Sequence, residues 1–394
     1  MKFSLTSLIF ILAFLFASFI FLAHYKIVEN GVWGDGRYYY SYVRSLVIDG
    51  DFNFVNELQH FSISARETKT GMRVNMGPAI FWLPFFLLAH LIARGDGYSH
   101  IYQIFTGLGA VFYGTLGLYY SFLLTKEYFS KKIALVAILG IWLGSNLFFY
   151  TAVDPINSHP VSFFVASILV YYWQKFLKNK QSLLLRNKKL GLLVILGLLV
   201  GFLGVVRNQD MIIALPIVIS LIWVSKERIK ELFSRIGIFL ISLMVGFLPQ
   251  LIVWKIVYGE IKSPYFIFGG QFNWLNPQIL SVLFSSNNGL FYYSPILVLS
   301  LIGLVYFYKK SNLLAISGIL SFLIYLYVVA SWYLWWGGAA YGGRAFISLM
   351  PFFIIGLAAL INRLQAKLQV VYPLLLLLVV LNFCSIIHFL LINP

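Results

Sequence analysis

The chain has 394 residues; 60% belong to the apolar set of Ala, Val, Ile, Leu, Met, Phe, Trp, Tyr and Cys, and 11% are charged, against about 25% charged in a soluble domain. An ordinary soluble enzyme is excluded. The net charge is +16, yet the Lys and Arg residues punctuate apolar runs, which reads as membrane topology and not as nucleic-acid binding. The single cysteine, Cys384, leaves no intramolecular disulfide and no Cys-rich metal site.

In chain order, the first apolar run spans about Leu5 to Ala23 behind Lys2. It is longer than a signal h-region and no A-x-A site follows it, so it predicts a retained transmembrane helix. A polar stretch from His24 to Ser99 then holds seven of the 13 acids: Glu29, Asp35, Asp49, Asp51, Glu57, Glu67 and Asp96. Within it, 77–94 is apolar but short and carries Pro78, Pro84 and His90. Further runs near 101–125, 133–150, 160–175, 190–206, 211–225, 236–256, 290–308, 312–330, 345–361 and 370–391 approach the 20 or so residues that cross an apolar core of about 30 Å.

Charge decides how these runs are threaded. Lys and Arg crowd the connections around 126–132, 175–189, 226–235, 309–310 and 363–367, whereas the alternate set has only Arg207, Lys255, Lys262 and Arg344. With the N-terminus cytoplasmic, the basic loops all fall inside only when 77–94 does not span. The expectation is an all-α polytopic membrane protein, one domain over 1–394. It has eleven transmembrane helices, a juxtamembrane helix at 77–94, and the C-terminus outside. The loops at 24–99, 257–289 and 331–344 are then extracytoplasmic and hold most of the residues capable of chemistry. The inside loops lack a phosphate-cradling glycine motif, which argues against ATP-driven chemistry there.

Asp35, in VWGDGRYYYSYVRSL, is an acid at a membrane interface beside aromatic surface, suited to act as a general base. Asp49-Gly50-Asp51 reads as a turn. Asp154 and His159, in DPINSHP, are predicted on the same side as Asp35; two acids and a histidine could hold a divalent cation, but no spacing is diagnostic and no cofactor is assigned. Arg207 and Asp210, in VVRNQDMII, lie where two spans meet, either as a pair capping the hairpin or as a functional site. Arg344 closes SWYLWWGGAAYGGR, where glycine pairs permit close ligand approach and a guanidinium offers paired donors to a phosphate. The aromatic stretches 265–274 and 331–341 are expected to line a lipid-facing groove.

Taken together these motifs resemble a bacterial integral-membrane glycosyltransferase of the C superfamily, the polyprenyl-phosphate-sugar group that includes protein O-mannosyltransferases and the aminoarabinose transferase of lipid A. The resemblance rests on GDGRYYYSYVRSLVIDGDFNFVNE, MGPAIFWLPFFLLAHL, DPINSHPVSFF, VVRNQD, LFSSNNGLFYYSPILVLSLIGL and WYLWWGGAAYGGRAFISLMPF, which cover most of the chain in the family's order.

It implies that Asp35 is the catalytic base and that Arg207 and Arg344 contact the donor phosphate, with Arg37 and Arg73 as further cations. Substrate contacts fall to Tyr38, Asp154, His159, Trp335, Trp336 and Tyr341. The implied reaction is inverting transfer of a monosaccharide from a polyprenyl phosphate to a hydroxyl of a glycolipid, polysaccharide or protein, on the outer side of a bacterial inner membrane. Competing readings are a transporter or lipid flippase, and a polysaccharide polymerase or ligase. The chain departs from its relatives at Gly36, where many have a second acid, and at Met76-Gly77-Pro78, where some have Lys before the proline.

Overall fold

The computed structural model describes residues 5–63, 72–178, 186–225, 229–267 and 269–392. Glu67, Phe268 and the basic residues Lys180, Lys226 and Arg228 lie outside them. The long apolar runs fold as helices: α1 (Leu5–Val28), then α2 (Gly36–Arg44), α3 (Val55–His60) and α4 (Gly77–Ala93) in the first polar stretch. The next group is α5 (His100–Thr125), α6 (Lys131–Leu143), α7 (Asn146–Phe148), α8 (His159–Lys178), α9 (Arg186–Val206), α10 (Ala214–Ser225) and α11 (Ile229–Tyr258). Short α12 (Pro264–Ile267), α13 (Ile279–Phe284) and α14 (Leu290–Tyr293) precede α15 (Ile296–Phe307), α16 (Asn312–Ser331), α17 (Met350–Arg363) and α18 (Leu368–Ile392). The protein is an all-helical, polytopic membrane protein.

Among the described residues, six stretches are long and apolar enough to cross a membrane: Thr6–Val28, His100–Thr125, Ile229–Tyr258, Asn312–Ser331, Arg344–Arg363 and Gln365–Ile392. A seventh is the pair Lys131–Leu143 and Asn146–Val153, bent by 75°. The other four expected crossings, α8, α9, Asn208–Trp223 and α15, fall short in length or hydropathy. Burial explains α8, which spends its polar positions on protein partners: Ser167 bonds Ser121 at 3.1 Å and Trp173 Nε1 donates to Ser220 at 3.0 Å. A helix facing protein along most of its surface has no need of an all-round apolar face. Helix α4 has 17 residues, about 25 Å at 1.5 Å per residue, and stands with Leu190–Val206, Asn208–Trp223 and Ile296–Phe307 among the shorter apolar helices.

Small residues set the closest contacts, as in membrane bundles generally. On α15 and α17, Gly303 and Gly356 lie so close that a Cβ on Gly303 would overlap the Gly356 carbonyl. The first polar stretch is pinned by a buried ion network: Arg44 pairs with Asp49 and, at 2.8 Å, with Glu57. Burial pushes the Glu57 carboxyl above its ordinary pKa even so.

The bend after α6 positions the next loop. Breaking the helix frees carbonyl groups that need partners, and Asn382 of α18 supplies them, donating to Leu143 O at 2.8 Å and Ser145 O at 3.1 Å. Trp142 Nε1 braces the bend by donating to Thr151 Oγ1 at 2.9 Å. A π-helical turn, Phe149–Val153, then delivers the chain to Asp154. Such wide turns cluster at functional sites.

The segments 257–289 and 331–344 meet directly. Asn273 N donates to Ser331 O at 2.6 Å, Gln278 N to Ala330 O at 2.8 Å and Tyr333 N to Gln271 O at 3.2 Å. Phe272 stacks on Trp274 with centroids 4.5 Å apart and packs on Trp332 at 4.8 Å. The expected groove between these stretches is thus filled by their own rings. Their outer surface stays apolar and exposed, at Phe266, Trp274 and Leu275.

Candidate functional site

Asp35 occupies the N-cap of α2, where a carboxylate normally accepts from the amides of the first turn. It makes no such bond. Its Oδ2 instead receives Arg344 Nη2 at 2.7 Å, while its side chain stays 45% exposed. Gly36 permits this placement, since a Cβ there would overlap the Ile156 carbonyl. The second acid that the sequence resemblance would put at this position has no room here.

Arg344 begins a 3-10 turn, Arg344–Leu349, and is aimed by the glycine-rich loop before it. Gly337 and Gly338 take φ of 72° and 75°, values that suit glycine because they crowd a Cβ. The loop therefore folds back until Arg344 Nη2 donates to Gly337 O at 2.7 Å. Asn288 secures the same loop by donating to Trp336 O at 2.8 Å and Gly338 O at 2.9 Å.

Asp35, Arg344 and Asp154 share a cavity of about 130 Å³ with Tyr150, Asn157, Gly337 and Gly338 on its walls. Asp154 Oδ1 is buried without a hydrogen-bond partner. Burial is the largest influence on its carboxyl; Arg344 opposes the rise and the charge of Asp35 adds to it, so the pKa is pushed up to about 7. This second acid is therefore close to half protonated at neutral pH, beside a first that is ion-paired.

Arg207 lies behind this cavity. Its Nη1 is 3.4 Å from both His159 Nδ1 and Ala345 O, the residue after Arg344. Asp210 is 3.9 Å away and fully buried, accepting from Ser162 at 2.5 Å, Ser348 at 3.0 Å and Tyr325. The sequence left a hairpin-capping pair and a functional site open for these residues. Asp210 turns out to join α8, α16 and the Arg344–Leu349 turn. Two tyrosines that sequence reasoning did not single out complete the surroundings. Tyr39, one helical turn after Asp35, and Tyr265 lie within electrostatic reach of both Asp35 and Arg207. Burial raises both phenol pKa values, so they remain neutral hydrogen-bond donors. The four-residue spacing of Tyr39 from Asp35 was a usable signal; Tyr265, in a distant loop, carried none.

Other expected residues sit elsewhere. Arg37 donates to Gly34 O and Phe61 O, each at 3.2 Å, and lines a separate, larger cavity. Arg73 is half-buried beside Met72 and Val74, whose carbonyls accept from Tyr258 and Tyr42. Tyr38 is buried in the core. Trp335 and Trp336 pack on each other at 5.7 Å, away from the Asp35 cavity walls. Tyr341 is structural, stacking on Phe149 at 4.9 Å and donating to Asn382 Oδ1 at 2.9 Å. Gly77 accounts for the other departure from the motif pattern the sequence resembles: a Cβ there would fall 2.5 Å from Val205 O, so no lysine fits. Among the described residues, no three His, Cys, Asp or Glu side chains converge to hold a metal; Asp35, Asp154 and His159 form no such set.

No family model matches the chain, and no curated protein matches its sequence. Solved structures do match. ArnT from Cupriavidus metallidurans bound to undecaprenyl phosphate aligns with a TM-score of 0.55 and 13% identity over 90% of this chain and 60% of that one. The apo state of the same protein aligns at 0.53 and 11% identity, over 90% and 59%. This chain therefore spans about 60% of the length of the structures it matches. At such low identity the match shows a shared fold alone.

Proposed function

We propose that the chain is a membrane glycosyltransferase that moves a monosaccharide from a polyprenyl phosphate to an acceptor hydroxyl on the extracytoplasmic side. The observation that carries this reading is the Asp35–Arg344 pair, a proton acceptor and a phosphate-binding cation joined at 2.7 Å on one cavity wall. Support comes from the fold, which is shared with a protein solved with undecaprenyl phosphate bound.

The ion pair acts as a resting state. Arg344 is half satisfied by Gly337 O and presents a planar fork that a phosphate fits in bidentate fashion. An arriving donor phosphate takes over the guanidinium and releases the Asp35 carboxylate. The acceptor hydroxyl gives its proton to Asp35 as its oxygen bonds the anomeric carbon, and the bond from that carbon to the phosphate oxygen breaks on the opposite side. One displacement inverts the configuration. Charge gathers on the departing phosphate, where Arg344, with Arg207 behind it, stabilises it. Neutral Tyr39 and Tyr265 donate hydrogen bonds without adding negative charge. Asp154, when protonated, donates one to a sugar hydroxyl.

The test is sugar transfer in nanodiscs from a panel of polyprenyl-phosphate sugars to membrane glycolipids. Wild type transfers from at least one donor. Asp35→Asn loses about 10²–10⁴-fold in turnover, the contribution of a positioned base, while still binding the donor. Near-normal turnover by Asp35→Asn would remove the base assignment. A folded wild type that binds no polyprenyl phosphate would remove the transferase reading altogether.

A further inference from the structure

The larger cavity, about 550 Å³, belongs to no step so far described. Its size is that of small-molecule sites, roughly 300–1,000 Å³, against about 130 Å³ beside Asp35. The two cavities share Trp33 and Gly34, the residues directly before Asp35. Gly34 has φ of 52°, and nothing lies within 4 Å of where its Cβ would be. The two cavities therefore adjoin at the residues next to the proposed base.

We infer that this cavity binds the acceptor, as an uncharged saccharide whose hydroxyl reaches Asp35 past Gly34. The inference rests on the transferase reading and adds to it the chemical class of the acceptor. Trp33 and Phe61, on the cavity wall, supply aromatic faces, on which the C–H faces of a sugar ring pack. The Tyr98 ring is held in place by His60, stacked at 3.6 Å, and by Arg44, 4.6 Å above its centroid. Its hydroxyl is buried without a hydrogen-bond partner. Glu29 and Arg37 supply an acceptor and a donor of opposite charge, which together favour a neutral ligand. The phosphate side, by contrast, gathers Arg344 and Arg207.

The backbone carries a second mark. Among the described residues, four non-glycine residues have positive φ, and two of them, Glu29 at 55° and Ser62 at 52°, line this cavity. Strain of this kind costs on the order of 1–3 kcal/mol per residue and gathers at ligand clamps.

The experiment is saturation-transfer NMR on the full chain in nanodiscs. The probes are the methyl glycosides of glucose, galactose and mannose, with glucose 1-phosphate as the charged arm. At least one methyl glycoside should bind wild type, more tightly than glucose 1-phosphate. Phe61→Ala and Glu29→Gln should each weaken it tenfold or more while undecaprenyl phosphate binding persists. Glu29 is exposed, so its variant keeps the test sound if Phe61→Ala does not fold. Absence of glycoside binding, unchanged affinity in Glu29→Gln, or preference for the sugar phosphate overturns the inference. Loss of undecaprenyl phosphate binding by wild type would instead strike the transferase reading, and is read separately.

Discussion

Of the molecule's arginine–aspartate pairs, two lie close together and differ in construction. Arg207 and Asp210 are three residues apart, 3.9 Å from contact and almost wholly buried. Arg344 and Asp35 come from distant parts of the chain, touch at 2.7 Å, and remain partly open to solvent. Asp210 already accepts three hydroxyls and depends little on its arginine. Asp35 has no hydroxyl partner and does not cap its own helix. Saturating a carboxylate with hydrogen bonds makes it a structural joint; leaving it with one exchangeable cation makes it a reagent.

The comparison is broken most forcefully at the joint. Asp210→Ala leaves three buried hydroxyls without their acceptor and removes the buried charge nearest Arg207. It should cost about 3–5 kcal/mol, measured by denaturant unfolding in detergent. Asp35→Ala should change stability by no more than about 1 kcal/mol, the range of exposed pairs. Equal losses from the two variants would erase the distinction.

A smaller effect sharpens the reagent side. Arg344→Ala removes charge-assisted hydrogen bonds worth about 1.5–3 kcal/mol, so the Kd for undecaprenyl phosphate should rise about 10–100-fold. Titration in nanodiscs measures it, and an unchanged Kd would take Arg344 out of phosphate binding.

The smallest effect concerns Asp154. Its carboxyl pKa is raised to about 7, above the ordinary carboxylate range near 4. Its protonated form therefore contributes stability that is complete below about pH 4 and is lost as pH rises through 7. The same ionisation puts a second negative charge in the cavity that receives a phosphate. Donor affinity in wild type should decline from pH 6 to pH 8, and Asp154→Asn should flatten that decline and be relatively more stable at pH 8. A parallel decline in both proteins would show that another group titrates.

Much of the architecture was legible in the residues because a bilayer imposes coarse requirements. Runs of apolar residues located the helices, including a short α4. Hydropathy is a poorer guide where helices face protein, as α8 shows with Ser167 and Trp173 satisfied inside the bundle. Asp35, Asp154 and Arg344 do converge. Arg37, two residues from Asp35, does not, because the N-terminal turn of α2 sends the two side chains into different cavities. The aromatic groove failed for a related reason: rings close enough to line a groove were close enough to fill it. Gly36 and Gly77 read as departures until backbone contacts showed that neither position can hold a side chain.

One contact near the end of the chain bears on how the protein is made. Asn382 holds the carbonyls at the α6 bend and also receives the Tyr341 hydroxyl, while the Tyr341 amide donates to Tyr150 at 2.9 Å. One asparagine thus joins the loop bearing Asp154 to the loop bearing Arg344. During synthesis, α1 through α17 emerge before this residue does. The two loops can be inserted early but not locked together until α18 arrives, so a nascent chain stalled before residue 382 would hold Asp154 and Arg344 without their final registration.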